Sequence, residues 1–222
     1  MSSHSTDHGA IVVVGSGPGI GVHVATIFAS RGFKKIILLS RDAARLSQDA
    51  ASVKEKSRSN AAVHTVRTDI ADTAELKKSL AEVDKVLENT PLECVLFNAA
   101  RVGPSKLLEF PVGEIEDDLK LLKITNDPSK KPSLLVPNSM LHNDPWPQLF
   151  SLSLSKAAQY NLTQSLAREF GPQGVHCALV KVCAQITDDQ EYCNPTNIAE
   201  RTWDLFTQDK ESWILEVEIK EQ

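Results

Sequence analysis

Ile11-Val12-Val13-Val14-Gly15-Ser16-Gly17-Pro18-Gly19-Ile20-Gly21 is the stretch on which the reading of the fold turns. Four β-branched residues run straight into a turn that holds four of the chain's ten glycines, and a helical pattern opens at Ile20. The spelling is Gly-x-x-x-Gly-x-Gly at 15, 19 and 21; in the alternative Gly-x-Gly-x-x-Gly the sixth position would fall on Ile20 or Val22. Both spellings serve the same need. One glycine allows a tight turn off the strand, another lets backbone amides approach a pyrophosphate, and the last lets helix and strand pack closely. The plain alternative is a solvated, glycine-rich loop. Its placement between a strand and a helix in the first β-α unit argues for the phosphate turn.

Outward from this turn, short β-branched runs alternate with helical stretches. The strands are expected at Ala10–Val14, Lys35–Leu39, Ala62–Val66, Glu93–Phe97, Ser133–Val136, His176–Val182 and Trp213–Val217. The helices between them are expected at Ile20–Arg31, Ala43–Ser57, Thr73–Asn89, Gly113–Lys123, Ser153–Phe170 and Pro195–Thr207. This alternation predicts an α/β fold, a Rossmann-type doubly wound parallel sheet of about seven strands with helices on both faces. Asp72 with Glu75 forms a capping-box pattern, Asn194-Pro195 caps and opens the last helix, and Gly171-Pro172 stops the one before it.

A chain of 222 residues fits one domain at about 150 residues per domain. We expect a polar tail over 1–9, disordered, and one dinucleotide-binding domain over 10–222. With 24 basic against 29 acidic residues the formal charge is -5, which argues against nucleic acid or an anionic membrane as partner. Cys94, Cys177, Cys183 and Cys193 contain no Cys-x-x-Cys pair, so neither a metal site nor a disulfide framework is expected, and Cys94 and Cys177 lie in apolar runs that bury thiols. The apolar runs fall far short of the roughly 18 residues of a membrane span, and a soluble, cytoplasmic protein is the expectation.

The second strand ends at Leu38-Leu39-Ser40-Arg41. A fold selecting NAD places a carboxylate about 20 residues after the glycines, against the ribose 2′-hydroxyl. Here that position is Ser40, followed by Arg41, whose guanidinium suits a 2′-phosphate. NADP is therefore expected in preference to NAD, with Asp42 as a weaker rival for the ribose and a merely solvated Arg41 as the plain alternative.

The ordered set Gly15, Gly19 and Gly21, Ser40-Arg41, Thr68-Asp69-Ile70, Asn98-Ala99-Ala100, Ser139 and Lys156 resembles the short-chain dehydrogenase/reductase family, and within it the fungal oxidoreductases, over about residues 9–218. The resemblance implies a cofactor-binding set of Gly15, Gly19, Ile20, Gly21, Ser40, Arg41, Asp69, Asn98, Lys156 and Thr187. Asp69 would bond the adenine amino group, and Asn98 would line the floor between adenine ribose and nicotinamide. It implies Ser139 and Lys156 as catalytic residues, Ser139 orienting a carbonyl and Lys156 holding the nicotinamide ribose.

The family's Tyr, four residues before Lys and thirteen after Ser, is Leu152 here. Tyr160 lies a turn beyond Lys156 and is expected to be a solvated helix residue; His142 is expected to be a loop histidine; Ser139 with Ser151, Ser153 or a water is a weak proton relay. The sequence departs from the family in three further places. Val182-Cys183-Ala184 replaces the usual Pro-Gly, the crossover through Glu114–Lys123 and the loop Ile124–Lys131 is short, with Asn126 outside the expected helix, and the lid from Cys183 to Asn194 is short.

The implied function is an NADP-dependent oxidoreductase acting on a carbonyl or alcohol of a small molecule, in the manner of fungal secondary metabolism. Two alternatives stand beside it: a catalytically reduced nucleotide-binding protein serving as regulator or partner subunit, and a non-redox enzyme on the same fold. A homo-oligomer is compatible with the sequence, which names neither substrate nor reaction direction.

Overall fold

The computed structural model describes residues 8–99 and 132–221. Its strands are β1 (His8–Val14), β2 (Phe33–Ser40), β3 (Ala62–Arg67), β4 (Leu92–Phe97), β5 (Ser133–Ser139), β6 (His176–Val182) and β7 (Glu216–Ile219). All pair in parallel, in the order β3-β2-β1-β4-β5-β6-β7. The helices among the described residues are α1 (Ile20–Ser30), α2 (Ala43–Ser57), α3 (Thr73–Leu87), α4 (Phe150–Phe170) and α5 (Pro195–Thr207). The chain winds from β1 toward β3 on one side and from β4 toward β7 on the other. The carboxyl ends of β1 and β4 therefore flank the crevice where such sheets take ligands.

Successive residues of a strand point to opposite faces, and both faces here are covered. Ile11 and Val13 of β1 pack with Phe28 of α1, Leu46 and Val53 of α2, and Ile198 and Leu205 of α5. Val12 and Val14 face the other side, with Val83 and Leu87 of α3 and Leu166 and Phe170 of α4. This two-sided burial is why β1 reads as an unbroken apolar run. Phe28 is wholly buried, and its truncation to Ala would cost about 3–5 kcal/mol.

Several expectations need correction. His8 and Gly9 belong to β1 and not to a tail; residues 1–7 lie outside the described residues. A Cβ on Gly9 would sit 2.1 Å from the Pro91 carbonyl oxygen, so only glycine admits this start to the strand. The last strand begins at Glu216 instead of Trp213, because Trp213 stacks on His176 at 4.8 Å and gives its indole N–H to the Gln208 carbonyl. α4 begins at Phe150, three residues before expectation, and Ser153 returns its hydroxyl to the Leu149 carbonyl at 2.9 Å. The capping box forms only in part. Asp72 accepts the amides of Ala74 and Glu75, which holds its carboxyl below the usual range, while Glu75 turns to the Asp69 amide and Arg67. Asn194 caps α5 as its sequence suggests, accepting the Asn197 amide at 2.8 Å. The expected helix Gly113–Lys123, the loop Ile124–Lys131, Ala100 and Asn126 lie outside the described residues.

A proline in an inner strand is uncommon, because it cannot donate to the ladder. Pro137 is tolerated because β4 pairs with β5 only through Ser133, Leu134 and Leu135, leaving Pro137 paired on the β6 side alone. No described helix is long and apolar enough to cross a membrane.

Candidate functional site

The glycine turn is fastened to both neighbouring strands. The amides of Gly15 and Ser16 each donate to the Leu39 carbonyl of β2 at 2.9 Å. On the other side the Asn98 amide donates to Val14 O and its side-chain Nδ2 to Gly15 O, both at 2.9 Å. Gly15 adopts φ +88°, and a Cβ there would stand 2.6 Å from the Ala99 nitrogen, so glycine is required twice over. At Gly21 a Cβ would press on Gly15 O at 3.1 Å, whereas nothing lies within 4 Å of a Cβ on Gly17 or Gly19. Gly19 starts α1 with no side-chain cap, so the first-turn amides of Ile20 and Gly21 end the helix facing this open ground. A dinucleotide's pyrophosphate fits here: an open glycine shelf under an uncapped helix N-terminus.

Beyond the turn, Ser40 closes β2 and its carbonyl accepts the Thr68 amide at 2.9 Å. Arg41 is exposed and makes no ion pair among the described residues. Asp42 is committed elsewhere, its carboxylate accepting the Arg45 amide at 3.0 Å as the cap of α2. Asp69 folds one carboxylate oxygen onto the Ala71 amide at 3.1 Å. Gly15, Ser40, Thr68-Asp69 and Asn98 are thus joined along the carboxyl edge of β3, β2, β1 and β4.

Further along that edge, Ser139 ends β5. Its Oγ accepts the Leu141 amide at 3.1 Å, which leaves the hydroxyl proton for donation. Lys156, buried in α4, gives Nζ–H bonds to the Pro137 carbonyl at 2.9 Å and Gln159 Oε1 at 3.1 Å. Asn138 braces the pair: its Nδ2 donates to Lys156 O at 3.1 Å, and its Oδ1 accepts the Ser139 amide at 2.7 Å. Leu152 is buried one turn before Lys156.

Tyr160 is not solvated, as its position suggested, but half-buried, its ring stacked on His142 at 4.4 Å. His142 in turn is no plain loop residue: its ring is buried and its Nδ1–H donates to the Ser139 carbonyl at 2.8 Å. Thr187 lies past β6, and its hydroxyl beside Asp189 holds that carboxyl below the usual range.

A KR domain family model matches residues 9–116. An uncharacterized oxidoreductase of Staphylococcus aureus (strain USA300) is 25% identical over 230 residues, covering 94% of this chain and 95% of its own. Among solved structures, a levodione reductase superposes with a TM-score of 0.82 at 18% identity, covering 96% of both chains. An NADPH-bound short chain oxidoreductase from Pseudomonas aeruginosa PAO1, described as containing an atypical catalytic center, does so at 0.79 and 17% identity, again over 96% of both chains. These likenesses support the short-chain dehydrogenase/reductase family.

Three residues that the sequence reading passed over now stand beside the family's expected positions. Asn138 and Gln159 hold Lys156 in place. Asp49, buried in α2, accepts the Ser16 hydroxyl of the glycine turn at 2.7 Å and lies 3.5 Å from Arg45 Nε. A signal for Asp49 was present: it sits on the apolar stripe Leu46, Ala50, Val53, where an acid needs a buried partner.

Proposed function

We propose that the chain is an NADP-dependent oxidoreductase of the short-chain kind, interconverting a carbonyl and an alcohol on a small molecule. The observation that carries the reading is the glycine turn: Gly15 in a left-handed conformation against Ala99, locked by Asn98, beneath an uncapped α1. The NADPH-bound Pseudomonas aeruginosa relative of the same fold supports it. When bound, the dinucleotide supplies a hydride at its nicotinamide. The chain's own residues do the rest. Gly15, Gly19, Ile20 and Gly21 hold the pyrophosphate, Ser40 and Arg41 receive the 2′-phosphate, Asp69 meets the adenine, and Asn98, Lys156 and Thr187 line the nicotinamide half. Ser139, already accepting from Leu141, donates its proton as a hydrogen bond to the substrate oxygen and orients it.

On this reading the chain from His8 onward forms a single cytoplasmic domain. Its substrate class, taken from the sequence resemblance, is that of fungal secondary metabolism.

A second reading, a nucleotide-binding regulator or partner subunit with reduced catalysis, draws on a separate observation. Leucine occupies position 152, and Lys156 is fastened to Pro137 and Gln159. Fluorescence titration with NADPH and NADH, followed by turnover on a panel of carbonyl compounds, separates the two. NADPH binding with oxidation supports the enzyme. Tight NADPH binding without oxidation, with turnover appearing in Leu152→Tyr, supports the second reading, and binding of neither nucleotide defeats both.

A further inference from the structure

Asp49 is a buried carboxylate with no part in the chemistry given above, and both of its oxygens are engaged. Oδ2 accepts the Ser16 hydroxyl of the glycine turn at 2.7 Å, and Oδ1 lies 3.5 Å from Arg45 Nε. The Asp49 side chain is 5% exposed and that of Arg45 is 39% exposed. A carboxylate so enclosed needs a cation beside it, and Arg45 reaches in from the surface to supply one.

The pair has a definite place in the fold. Residues four apart share one face of a helix, so Arg45 lies on the face of α2 that Asp49 turns toward Ser16. Because α2 follows β2, its first turn stands at the carboxyl edge of the sheet, where ligands of such folds bind. Arg45 belongs to that turn, its amide bonded to the capping Asp42 at 3.0 Å. It is therefore one turn nearer the edge than Asp49. Ser16 is tied to β2 through its amide on the Leu39 carbonyl at 2.9 Å, and Arg41 comes two residues after Leu39. The Arg45 guanidinium thus stands at the rim between the glycine turn and the end of β2.

We infer that Arg45 is a second receptor for the 2′-phosphate of the nucleotide, beside Arg41, and that Asp49 is the positioning residue that holds it there. This role rests on the NADP reading given above. Asp49 engages Arg45 through Nε, and the paired Nη groups are the ones that meet a phosphate bidentately. The two arginines act differently. Arg41 is exposed and gives up side-chain freedom to hold a ligand. Arg45 is steered beforehand by its ion pair, so less freedom is lost on binding. The same carboxylate that holds Arg45 holds Ser16, so Asp49 links the end of the site that takes the 2′-phosphate to the turn that takes the pyrophosphate. The negative charge of Asp49 does not oppose the phosphate directly, because the guanidinium lies between them.

The test is calorimetric titration of the full chain with NADPH, NADH, 2′,5′-ADP and 3′,5′-ADP. The parent should bind NADPH more tightly than NADH, and 2′,5′-ADP more tightly than its 3′ isomer. Arg45→Ala should weaken NADPH and 2′,5′-ADP about tenfold, the low end for a charge-assisted bond because the arginine is partly exposed, and leave NADH unchanged. Asp49→Asn keeps an acceptor for Ser16 and removes the charge that steers Arg45. It should weaken NADPH about three- to tenfold in the parent and have no further effect in the Arg45→Ala background. A purely structural role would lower NADPH and NADH together in both backgrounds, and would overturn the assignment. If Arg45→Ala does not fold, Arg45→Lys keeps a cation for Asp49 without the planar fork and should weaken NADPH about threefold. NADPH affinity unchanged in the Arg45 variants while Arg41→Ala lowers it, tighter NADPH binding in Asp49→Asn, or 3′,5′-ADP bound as tightly as 2′,5′-ADP would each overturn this role and leave the NADP reading standing. A parent that binds NADPH no better than NADH overturns both.

Discussion

Replacing Gly15 with alanine separates backbone requirement from open shelf within a single turn. Two costs are set by the structure. The residue stands at φ +88°, a conformation that costs a non-glycine residue about 1–3 kcal/mol. Its new Cβ would lie 2.6 and 2.7 Å from the nitrogen and Cα of Ala99 and 2.9 Å from the Asn98 carbonyl carbon. All three are backbone atoms fastened at the end of β4, so relief requires moving that strand end away from β1, an overpacking cost of about 1–3 kcal/mol. At about 2–4 °C per kcal/mol for a chain of this size, the melting temperature should fall by roughly 5–20 °C. Gly21→Ala meets Gly15 O at 3.1 Å and Ser16 Cα at 3.2 Å without a positive φ, and should lose about 1–2 kcal/mol. Gly17→Ala meets nothing within 4 Å and should stay within about 0.5 kcal/mol of the parent. The assay is thermal unfolding of the three variants, with NADPH titration below the transition. Gly15→Ala should also lose NADPH binding, because the shift displaces Asn98. A Gly17 variant as unstable as the Gly15 variant, or a Gly15 variant with the parent's melting temperature, would refute the geometry.

Arg41→Ala should weaken NADPH about 10- to 100-fold and leave NADH unchanged, the loss of a charge-assisted pair to the 2′-phosphate; equal loss for both nucleotides in titration counts against the assignment. Asn138→Ala removes the side chain that bonds the Lys156 carbonyl and takes the partner from the Ser139 amide, and should cost about 1–3 kcal/mol by chemical unfolding. An unchanged midpoint would show that the brace carries no energy. Burial holds the His176 imidazole below its ordinary value of 6.5, so the unfolded chain takes up the proton first as pH falls. Its contribution to stability is full above that value and is lost as pH drops through the folded-state value. The melting temperature should therefore fall more steeply from about pH 8 to 5 in the parent than in His176→Gln; identical slopes would remove His176 from the acid response.

What the sequence made legible was whatever obeys local rules. Ala43–Ser57, Pro195–Thr207 and His176–Val182 match their expected bounds because capping residues and β-branched runs mark them within a few residues of chain. The glycine turn was legible for the same reason, as four glycines abut a buried strand. Elements set by distant partners were not. β7 starts late because Trp213 is engaged by His176, 37 positions earlier in the chain. Tyr160 looked solvated from its place on the helix, yet His142 arrives from the end of β5 to cover it.

The proposed catalytic half of the site hangs on three successive residues of β5. Pro137 gives its carbonyl to the Lys156 ammonium, Asn138 holds the Lys156 carbonyl, and Ser139 is fixed through the Asn138 side chain. Lys156 is thereby fastened at both ends of its residue, so its position relative to Ser139 is a property of β5 and does not wait for a ligand. On the proposed function, this arrangement would hold Ser139 ready to orient a substrate oxygen. Leu152, one turn earlier on the same face of α4, contributes shape without a proton. Binding and proton supply are therefore separable in this chain, so nucleotide affinity and turnover should respond to different substitutions: affinity to Gly15 and Arg41, turnover to position 152.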